Sequence, residues 1–231
     1  MQAGLLGSCM AGEEGCCVCC RPPCAAVDWM YIFSSRVLDH QSTHPACPHA
    51  ATGGSFSVAA GRMSFLYGFK GPSMSIDTAC SSALVAIHHA VIHLHRSLSH
   101  CALAAAVNLV LSEMTTAAAS AAGMLTIDGR CKTLDASADG YVRSEACTAT
   151  LLAAADALHA GQVLLRATHV NQDGRSSSLT APNGPSQQAV IRGALQAAHM
   201  QPTGMTALEL HGTGEQLAML LLLPVCSCGP S

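Results

Sequence analysis

Apolar and polar positions change their period several times along the chain, and these changes predict alternating strands and helices. Residues 73–78 alternate, with Met74 and Ile76 on one face, which is typical of a strand. Residues 83–98 then place leucine, isoleucine and valine at helical spacing. Residues 103–111 form a nearly continuous apolar run, which fits a strand that is buried on both faces.

The second half of the chain continues this alternation. Residues 148–152 and 163–170 are further strand candidates. Residues 186–198 return to helical spacing, and Pro185 suits the first turn of that helix. A short strand over residues 207–210 completes the series. Strands that alternate with helices predict a layered α/β fold.

Composition divides the chain into three zones. Residues 1–51 are rich in Cys, Pro, Gly and His and show no sustained period, so they are predicted to be irregular, with a short apolar patch over 29–37. Residues 52–214 carry the α/β pattern. Residues 215–231 are a leucine run followed by Cys, Gly and Pro, and we expect this tail to lie outside the fold.

Composition and charge exclude several classes of protein. The chain is 50% hydrophobic and 11% charged, which favours a large core over disorder. The net charge of −3 comes without a basic block, so neither nucleic acid nor a membrane surface is an expected partner. An apolar run over residues 217–225 is far shorter than the roughly 20 residues that span a bilayer.

Cysteine usage bears on the compartment. The chain has 13 cysteines, an odd number, and it is not a small secreted protein. Its first residues lack the positive segment and long apolar core of a secretory signal. These features predict reduced thiols in a reducing compartment, which we take to be the cytoplasm, with a plastid as the alternative.

Cys80 lies where the strand over 73–78 turns into the following helix. Its neighbours Ala79, Ser81 and Ser82 are small, which permits a sharp elbow and leaves room for a substrate. The N–H groups and the positive dipole end of the helix would stabilise a thiolate there. A thiolate attacks thioesters readily and is a good leaving group afterwards. The alternative is a buried structural cysteine.

Two groups of residues resemble metal ligands. One combines residues 16–20 (CCVCC) with Cys24, His44, Cys47 and His49, but its spacing does not match a two-pair zinc pattern. The other is a histidine set on the helix after Cys80, in which His89 and His93 are one turn apart. The simpler interpretation is that these helix histidines are exposed or hydrogen-bonded within the fold, so no metal site is predicted.

Several polar residues are interpreted as parts of turns. Asp77, Asp128, Asp135 and Asp139 have the setting of turn and cap residues and do not form an acid–base pair in the pattern. Residues 171–175 (NQDGR) are most simply a loop.

Nine short sequences occur in the order and at the spacings of one enzyme family. They are 57–64 (SVAAGRMS), 71–73 (GPS), 77–82 (DTACSS), 123–125 (GML), 128–133 (DGRCKT), 135–143 (DASADGYVR), 170–175 (VNQDGR), 179–184 (LTAPNG) and 209–214 (ELHGTG). Over residues 52–214 the chain therefore resembles the β-ketoacyl synthases, in the form found in modular polyketide synthases. The resemblance implies an α/β, thiolase-like αβαβα fold, represented here by the N-terminal half and the start of the C-terminal half.

The resemblance also implies a reaction. An acyl group moves from the phosphopantetheine of an acyl carrier protein to Cys80, and a malonyl thioester then undergoes decarboxylative Claisen condensation, in polyketide or fatty-acid biosynthesis. By the family pattern His211 is the first of two histidines that stabilise the developing enolate oxygen, and Thr78 and Thr213 contact the substrate. The chain would bind no cofactor. Its expected partners are an acyl carrier protein domain, other synthase domains and a second copy of itself.

The sequence departs from the family pattern in several places. After residue 214 no segment matches the second histidine, the accompanying lysine or the glycine-rich loop of the family. Residues 104–106 (AAA) and 144–146 (SEA) stand where the family usually has glycines. We therefore expect the condensation half to be impaired in this chain. The alternative is a non-catalytic remnant that acts only in dimerisation or carrier-protein binding.

Overall fold

The computed structural model describes residues 2–8, 29–35, 50–96, 100–154, 163–178 and 181–213. Six strands and five α-helices lie in these segments. The strands are β1 (Gln2–Ser8), β2 (Trp29–Ser35), β3 (Ser73–Ser75), β4 (Cys101–Asn108), β5 (Ala146–Ala153) and β6 (Leu164–Asn171), and the helices are α1 (Ala50–Gly53), α2 (Phe56–Tyr67), α3 (Ser82–His95), α4 (Glu113–Ala121) and α5 (Gly184–Ala197). The zinc candidates of the N-terminal zone and the tail over 215–231 lie outside the described residues.

The chain forms two compact units. The cysteine unit, named here for Cys80, comprises Gly7–Asn108 and Ala146–Thr168. The histidine unit, named for His211, comprises Met1–Leu6, Leu109–Glu145 and His169–Ser231. The zones defined by composition, 1–51, 52–214 and 215–231, divide the chain differently and remain a prediction.

A four-stranded sheet with the order β3-β2-β4-β5 organises the cysteine unit. Strand β2 is parallel to β3 and β4, and β5 runs antiparallel to β4. The prediction that residues 1–51 are irregular is therefore wrong for Gln2–Ser8 and for Trp29–Ser35. Neighbouring strands supply the hydrogen-bond partners of β2, and a pairing so distant in sequence leaves no local period.

Small side chains form the core of the cysteine unit. Ala86 and Ala90 of α3 pack with Ala102 and Ala104 of β4, and all four are buried. Larger residues close around them, namely Ile76, Ile87, Leu94 and Leu152. Alanine lets the helix approach the sheet closely, and this arrangement fixes the end of α3 that carries Cys80.

The element predictions for the cysteine unit are largely confirmed. The helix predicted over 83–98 is α3, and the strand predicted over 103–111 is β4, which begins and ends earlier, at Cys101 and Asn108. The strand predicted over 148–152 is β5. The strand predicted over 73–78 is confirmed only for Ser73–Ser75, because the chain leaves the sheet to enter the elbow.

The histidine unit contains α4, α5 and long loops. Helix α5 is the predicted helix over 186–198, with Pro185 in its first turn and Asn183 as its N-cap, accepting from the Ser186 N–H at 3.3 Å. Its buried residues are Val190, Ala194 and Leu195. The predicted strand over 163–170 is β6, which pairs with β1 and belongs to the cysteine unit up to Thr168 and to the histidine unit from His169.

The prediction of a strand over 207–210 is wrong. These residues have no regular secondary structure, and none of the described strands forms a ladder with them. An apolar run becomes a strand only where a neighbour accepts its backbone hydrogen bonds. Across the described segments, no helix is both long and apolar enough to cross a bilayer.

Candidate active site

A strained turn presents Cys80. Ala79–Ser81 form a single 3₁₀ turn, after which α3 begins at Ser82. Ala79 has a φ of +57°, in the left-handed region that costs a residue with a Cβ about 1–2 kcal/mol. Its N–H donates to Asp77 Oδ1 at 3.0 Å, as the prediction of a turn aspartate requires. The predicted elbow is confirmed, with its strain one residue before the cysteine.

Two buried serine hydroxyls brace this elbow from inside. Ser82 Oγ accepts from the Thr78 N–H at 2.7 Å and donates to the Ala79 carbonyl at 2.7 Å. Ser81 Oγ donates to the Thr78 carbonyl at 3.0 Å and lies 2.8 Å from Thr78 Oγ1. Ser82 is fully buried and Ser81 is 9% exposed. Because both serines are buried, these bonds hold the turn against the strain at Ala79.

The Cys80 side chain is exposed and belongs to no disulfide. Exposure argues against the alternative of a buried structural cysteine, a description that fits Cys101 instead. Cys147 is also exposed, but it lies in β5 and not at a helix N-terminus. Cys80 therefore combines access to solvent with the backbone N–H groups and the dipole of the fourteen-residue helix α3.

The histidine unit contains a long loop, residues 124–141, whose two ends are joined by hydrogen bonds. The Thr126 N–H donates to the Tyr141 carbonyl at 3.2 Å, and the Tyr141 N–H donates to the Met124 carbonyl at 3.1 Å. Gly140 has a φ of +143° and packs against the backbone at the start of the loop. A Cβ at that position would lie 2.7 Å from three backbone atoms of residues 124–126. Only glycine fits there.

An ion-pair network crosses the same loop. Lys132 Nζ lies 2.7 Å from Asp139 Oδ1 and 3.3 Å from Asp128 Oδ2. The hydrogen bond to Asp139 raises the pKa of Lys132, and the same bond lowers the pKa of the Asp139 carboxyl. The pKa of Asp128 is lowered first by the Thr126 hydroxyl, which donates to it at 2.7 Å, and then by Lys132.

The remaining turn aspartate caps its own loop. Asp135 Oδ1 accepts from the Ser137 N–H and from the Ser137 hydroxyl, both at 2.8 Å, and these bonds lower the pKa of Asp135. Asp128 likewise accepts from the Arg130 N–H at 3.2 Å. Asp77, Asp128 and Asp135 thus accept backbone hydrogen bonds in turns, as predicted, whereas Asp139 is an ion-pair partner of Lys132, which the prediction did not include.

His211 lies in an irregular segment beside this loop. Its side chain is exposed, and Gly212 after it has a φ of +65°, which turns the chain sharply. Thr133 Oγ1 donates to the Gly212 carbonyl at 2.7 Å. Thr213 follows and is half-buried.

The four predicted site residues thus form two pairs, one in each unit. Thr78 and Cys80 share the elbow of the cysteine unit, and His211 and Thr213 share the turn of the histidine unit. No set of three or more potential metal ligands comes together in the described residues. Thr133 ends the motif over 128–133, but that motif does not predict its bond to Gly212, because the bond joins segments far apart in the chain.

Comparison with known protein families accounts for most of the chain. Residues 28–157 match the family described as beta-ketoacyl synthase, N-terminal domain. Residues 163–218 match the family described as beta-ketoacyl synthase, C-terminal domain.

Curated relatives include large polyketide synthases. A phenolphthiocerol/phthiocerol polyketide synthase of Mycobacterium tuberculosis is 46% identical over 198 residues, which cover 83% of this chain and 9% of that protein. Polyketide synthase GfsA of Streptomyces halstedii is 45% identical over 173 residues, covering 73% of this chain and 2% of that protein. The chain therefore spans a small part of the length of these relatives.

Solved ketosynthase structures share the fold. The ketosynthase from module 6 of the bacillaene synthase of Bacillus subtilis is 28% identical with a TM-score of 0.72, covering 87% of this chain and 36% of that one. The oxazolomycin ketosynthase domain OzmH KS7 of Streptomyces albus is 29% identical with a TM-score of 0.73, covering 86% and 37%. The predicted thiolase-like α/β fold, present in part, is confirmed, and the chain belongs to the β-ketoacyl synthase family.

Proposed function

We propose that this chain carries the acyl-accepting site of a polyketide-synthase ketosynthase, with Cys80 as the nucleophile. The observation that carries the proposal is the exposed Cys80 thiol on a braced, strained elbow at the start of α3. Membership of the β-ketoacyl synthase family and the similarity to polyketide synthases support it.

The first half-reaction is a thioester exchange. The Cys80 thiolate attacks the carbonyl carbon of an acyl-phosphopantetheine thioester and forms a tetrahedral oxyanion. Collapse of this intermediate breaks the bond to the pantetheine sulfur, which leaves as a thiolate and takes up a proton. The acyl group is then joined to Cys80. N–H groups at the start of α3 favour the thiolate before attack.

The second half-reaction is the condensation. A malonyl thioester loses carbon dioxide, and the released electron pair forms an enolate whose carbon attacks the acyl-Cys80 carbonyl. The new carbon–carbon bond expels the Cys80 thiolate. In this step His211 stabilises the developing enolate oxygen, and Thr78 and Thr213 contact the substrate, which is the role that the family pattern gives these positions.

The same proposal names the partners of the site and separates the needs of its two half-reactions. The substrates arrive on the phosphopantetheine of an acyl carrier protein, and the site works beside other synthase domains and a second copy of the chain. Cys80 acylation needs mainly the elbow, whereas condensation also draws on His211 of the histidine unit. We therefore propose acylation of Cys80 as the half-reaction that tests this site most directly.

The first test measures acylation directly. The full chain is incubated with a hexanoyl-pantetheine thioester, and the adduct is located by peptide mass spectrometry. We expect a hexanoyl mass on Cys80, abolished in Cys80→Ser and retained in Cys147→Ser, because Cys147 is the other exposed cysteine of the described residues.

Two outcomes of this test would count against the proposal. An adduct equally abundant on Cys147 would mean that exposure alone governs the reaction. No adduct on a folded chain would favour the alternative of a remnant that only dimerises or binds carrier protein.

A further inference from the structure

We propose that Thr133 is a positioning residue, whose hydroxyl fixes the backbone turn that carries His211. The inference deepens the proposed function and rests on it, because it assigns a support to the histidine of the condensation step. Thr133 does not touch the reacting atoms in this proposal. It acts through the Gly212 carbonyl, which belongs to the peptide bond between Gly212 and Thr213.

The contact between Thr133 and Gly212 is both polar and close-packed. Thr133 Oγ1 donates to the Gly212 carbonyl at 2.7 Å. A Cβ built on Gly212 would lie 3.1 Å from Thr133 Oγ1 and 3.2 Å from Thr133 Cγ2. The threonine side chain therefore fills the space that any other residue at position 212 would need. Its hydroxyl sets the orientation of the peptide, and its methyl group limits the approach.

The backbone on both sides of Thr133 is held in an unfavourable conformation. Lys132 has a φ of +46° and Leu134 has a φ of +71°, and neither is a glycine. Left-handed residues with side chains cost about 1–2 kcal/mol each, so other interactions must hold them in place. Strain on both sides of a single side chain indicates that the loop fixes the direction of that side chain.

The interactions that offset this strain also converge on Lys132. Its ammonium group bridges Asp128 and Asp139, and its carbonyl accepts from the Asp135 N–H at 3.0 Å. The ion pairs anchor the side chain of Lys132, and the turn anchors its carbonyl. The backbone beside Thr133 is consequently held in place, and the Thr133 side chain is directed at the Gly212 carbonyl.

This arrangement has a catalytic consequence. An imidazole that stabilises an enolate oxygen must be placed with care, since a misplacement of about 1 Å can cost about 100-fold in rate. The His211 side chain is exposed and lies in a segment without regular secondary structure. A hydrogen bond to the peptide between Gly212 and Thr213 is a direct way to restrict it.

The experiment observes His211 itself. The full chain is labelled with ¹³C at histidine Cε1, and the His211 resonance is assigned by its loss in His211→Asn. Thr133→Val removes the hydroxyl with nearly the same shape, and Thr133→Ser restores it. We expect Thr133→Val to shift the His211 resonance and broaden it about two-fold, as the turn samples a second conformation, and Thr133→Ser to resemble the wild type.

His169 provides an internal control. It lies in the histidine unit, and its ring packs over Gly193 of α5. Its resonance should be unchanged in both variants. An unchanged His211 resonance in Thr133→Val, or equal disturbance in Thr133→Ser, would overturn the inference.

If Thr133→Val also disturbs the His169 resonance, a second variant replaces it as the test. Lys132→Met then removes both ion pairs and leaves the Thr133 hydroxyl in place. Broadening of His211 alone supports the inference, and an unchanged His211 resonance overturns it. Acylation of Cys80 is measured in parallel, so that absence of acylation contradicts the proposed function whatever the resonance shows.

Discussion

The elbow of the cysteine unit and the loop over residues 124–141 of the histidine unit hold similar strain by different means. Ala79 in the elbow and Lys132 in the loop both have a left-handed backbone without being glycine. Buried hydroxyls of Ser81 and Ser82 brace the elbow. The loop relies on ion pairs of Lys132 with partly exposed carboxylates and on the close packing of Gly140.

The difference lies in how each brace responds to its surroundings. Hydrogen bonds between buried neutral groups depend little on salt or on pH. Ion pairs near the surface are screened by salt and are lost when either partner changes its charge. The serine hydrogen bonds of the elbow should therefore tolerate changes of solution that loosen the ion pairs of the loop, and among the described bonds of the elbow only that of the Ala79 N–H to Asp77 has a carboxylate acceptor.

The largest effect should come from Gly140→Ala in the loop. The new Cβ would lie 2.7 Å from backbone atoms that cannot rotate away, at a φ of +143° that alanine rarely adopts. We expect the free energy of unfolding to fall by about 2–4 kcal/mol, as measured by urea denaturation.

Gly129→Ala is the matched control for this substitution. Gly129 has a φ of +72° with nothing within 4 Å of the added Cβ, so it should cost only about 1 kcal/mol. Equal costs for the two substitutions would show that the packing of Gly140 does not hold the loop.

A smaller effect is expected from Ser82→Ala in the elbow. The substitution removes the acceptor of the Thr78 N–H at a fully buried position, which should cost about 1–3 kcal/mol of unfolding free energy. Denaturation in low and in high salt should give the same loss.

Ser57→Ala is the control for the elbow. Ser57 is exposed and its hydroxyl lies 2.7 Å from Ser55 Oγ, so its removal should change stability by less than about 0.5 kcal/mol. A strong salt dependence of the Ser82→Ala effect would remove the distinction between the two regions.

The smallest effect concerns pH. The pKa values of Asp128 and Asp139 are lowered, so their contribution to stability is complete above the ordinary value of about 3.9 and is lost as pH falls below it. The pKa of Lys132 is raised, so its contribution is complete below the ordinary value of about 10.4 and is lost only as pH rises above it.

Hydrogen exchange can follow this loss of stability with pH, residue by residue. The protection of the Thr126 and Tyr141 amides, corrected for intrinsic exchange, should fall below about pH 4, while that of Thr78 stays constant. Lys132→Met should remove the part of the pH dependence that comes from its ion pairs, chiefly that of Asp139, and leave the parts due to the Thr126 bond to Asp128 and to Asp135. If the Thr78 amide lost protection over the same pH range, the proposed difference between the elbow and the loop would be contradicted.

The elbow was predictable because its causes are local. An alternating segment, a cysteine between small residues and a helical spacing follow one another, and β3, the turn and α3 are found in that order. The sequence did not reveal which residue bears the strain. Ala79 adopts its left-handed conformation because Asp77 and Ser82 supply bonds that fit it, and alanine alone would not indicate this.

The predictions from the sequence failed where contacts between residues far apart in the chain determine the structure. Trp29–Ser35 is a strand because β3 and β4 flank it, whereas residues 207–210 are apolar but have no described strand beside them. Thr133 belongs to the motif over 128–133, which gives it no role by itself. Its role in the candidate site follows from a contact with Gly212 that spacing cannot predict.

The parallel pairing of β2 with β4 has a consequence for the order of folding. Register runs from Trp29 opposite Ala102 to Ser35 opposite Asn108, and α2 and α3 lie between the two strands in the chain. Pairings so distant in sequence carry a large loop-closure entropy and form slowly. During synthesis β2 must therefore wait until β4 has left the ribosome, and of the described strands that flank it only the short β3 can pair with it earlier. A holdase chaperone that covers residues 29–35 at this stage would protect the nascent chain from aggregation.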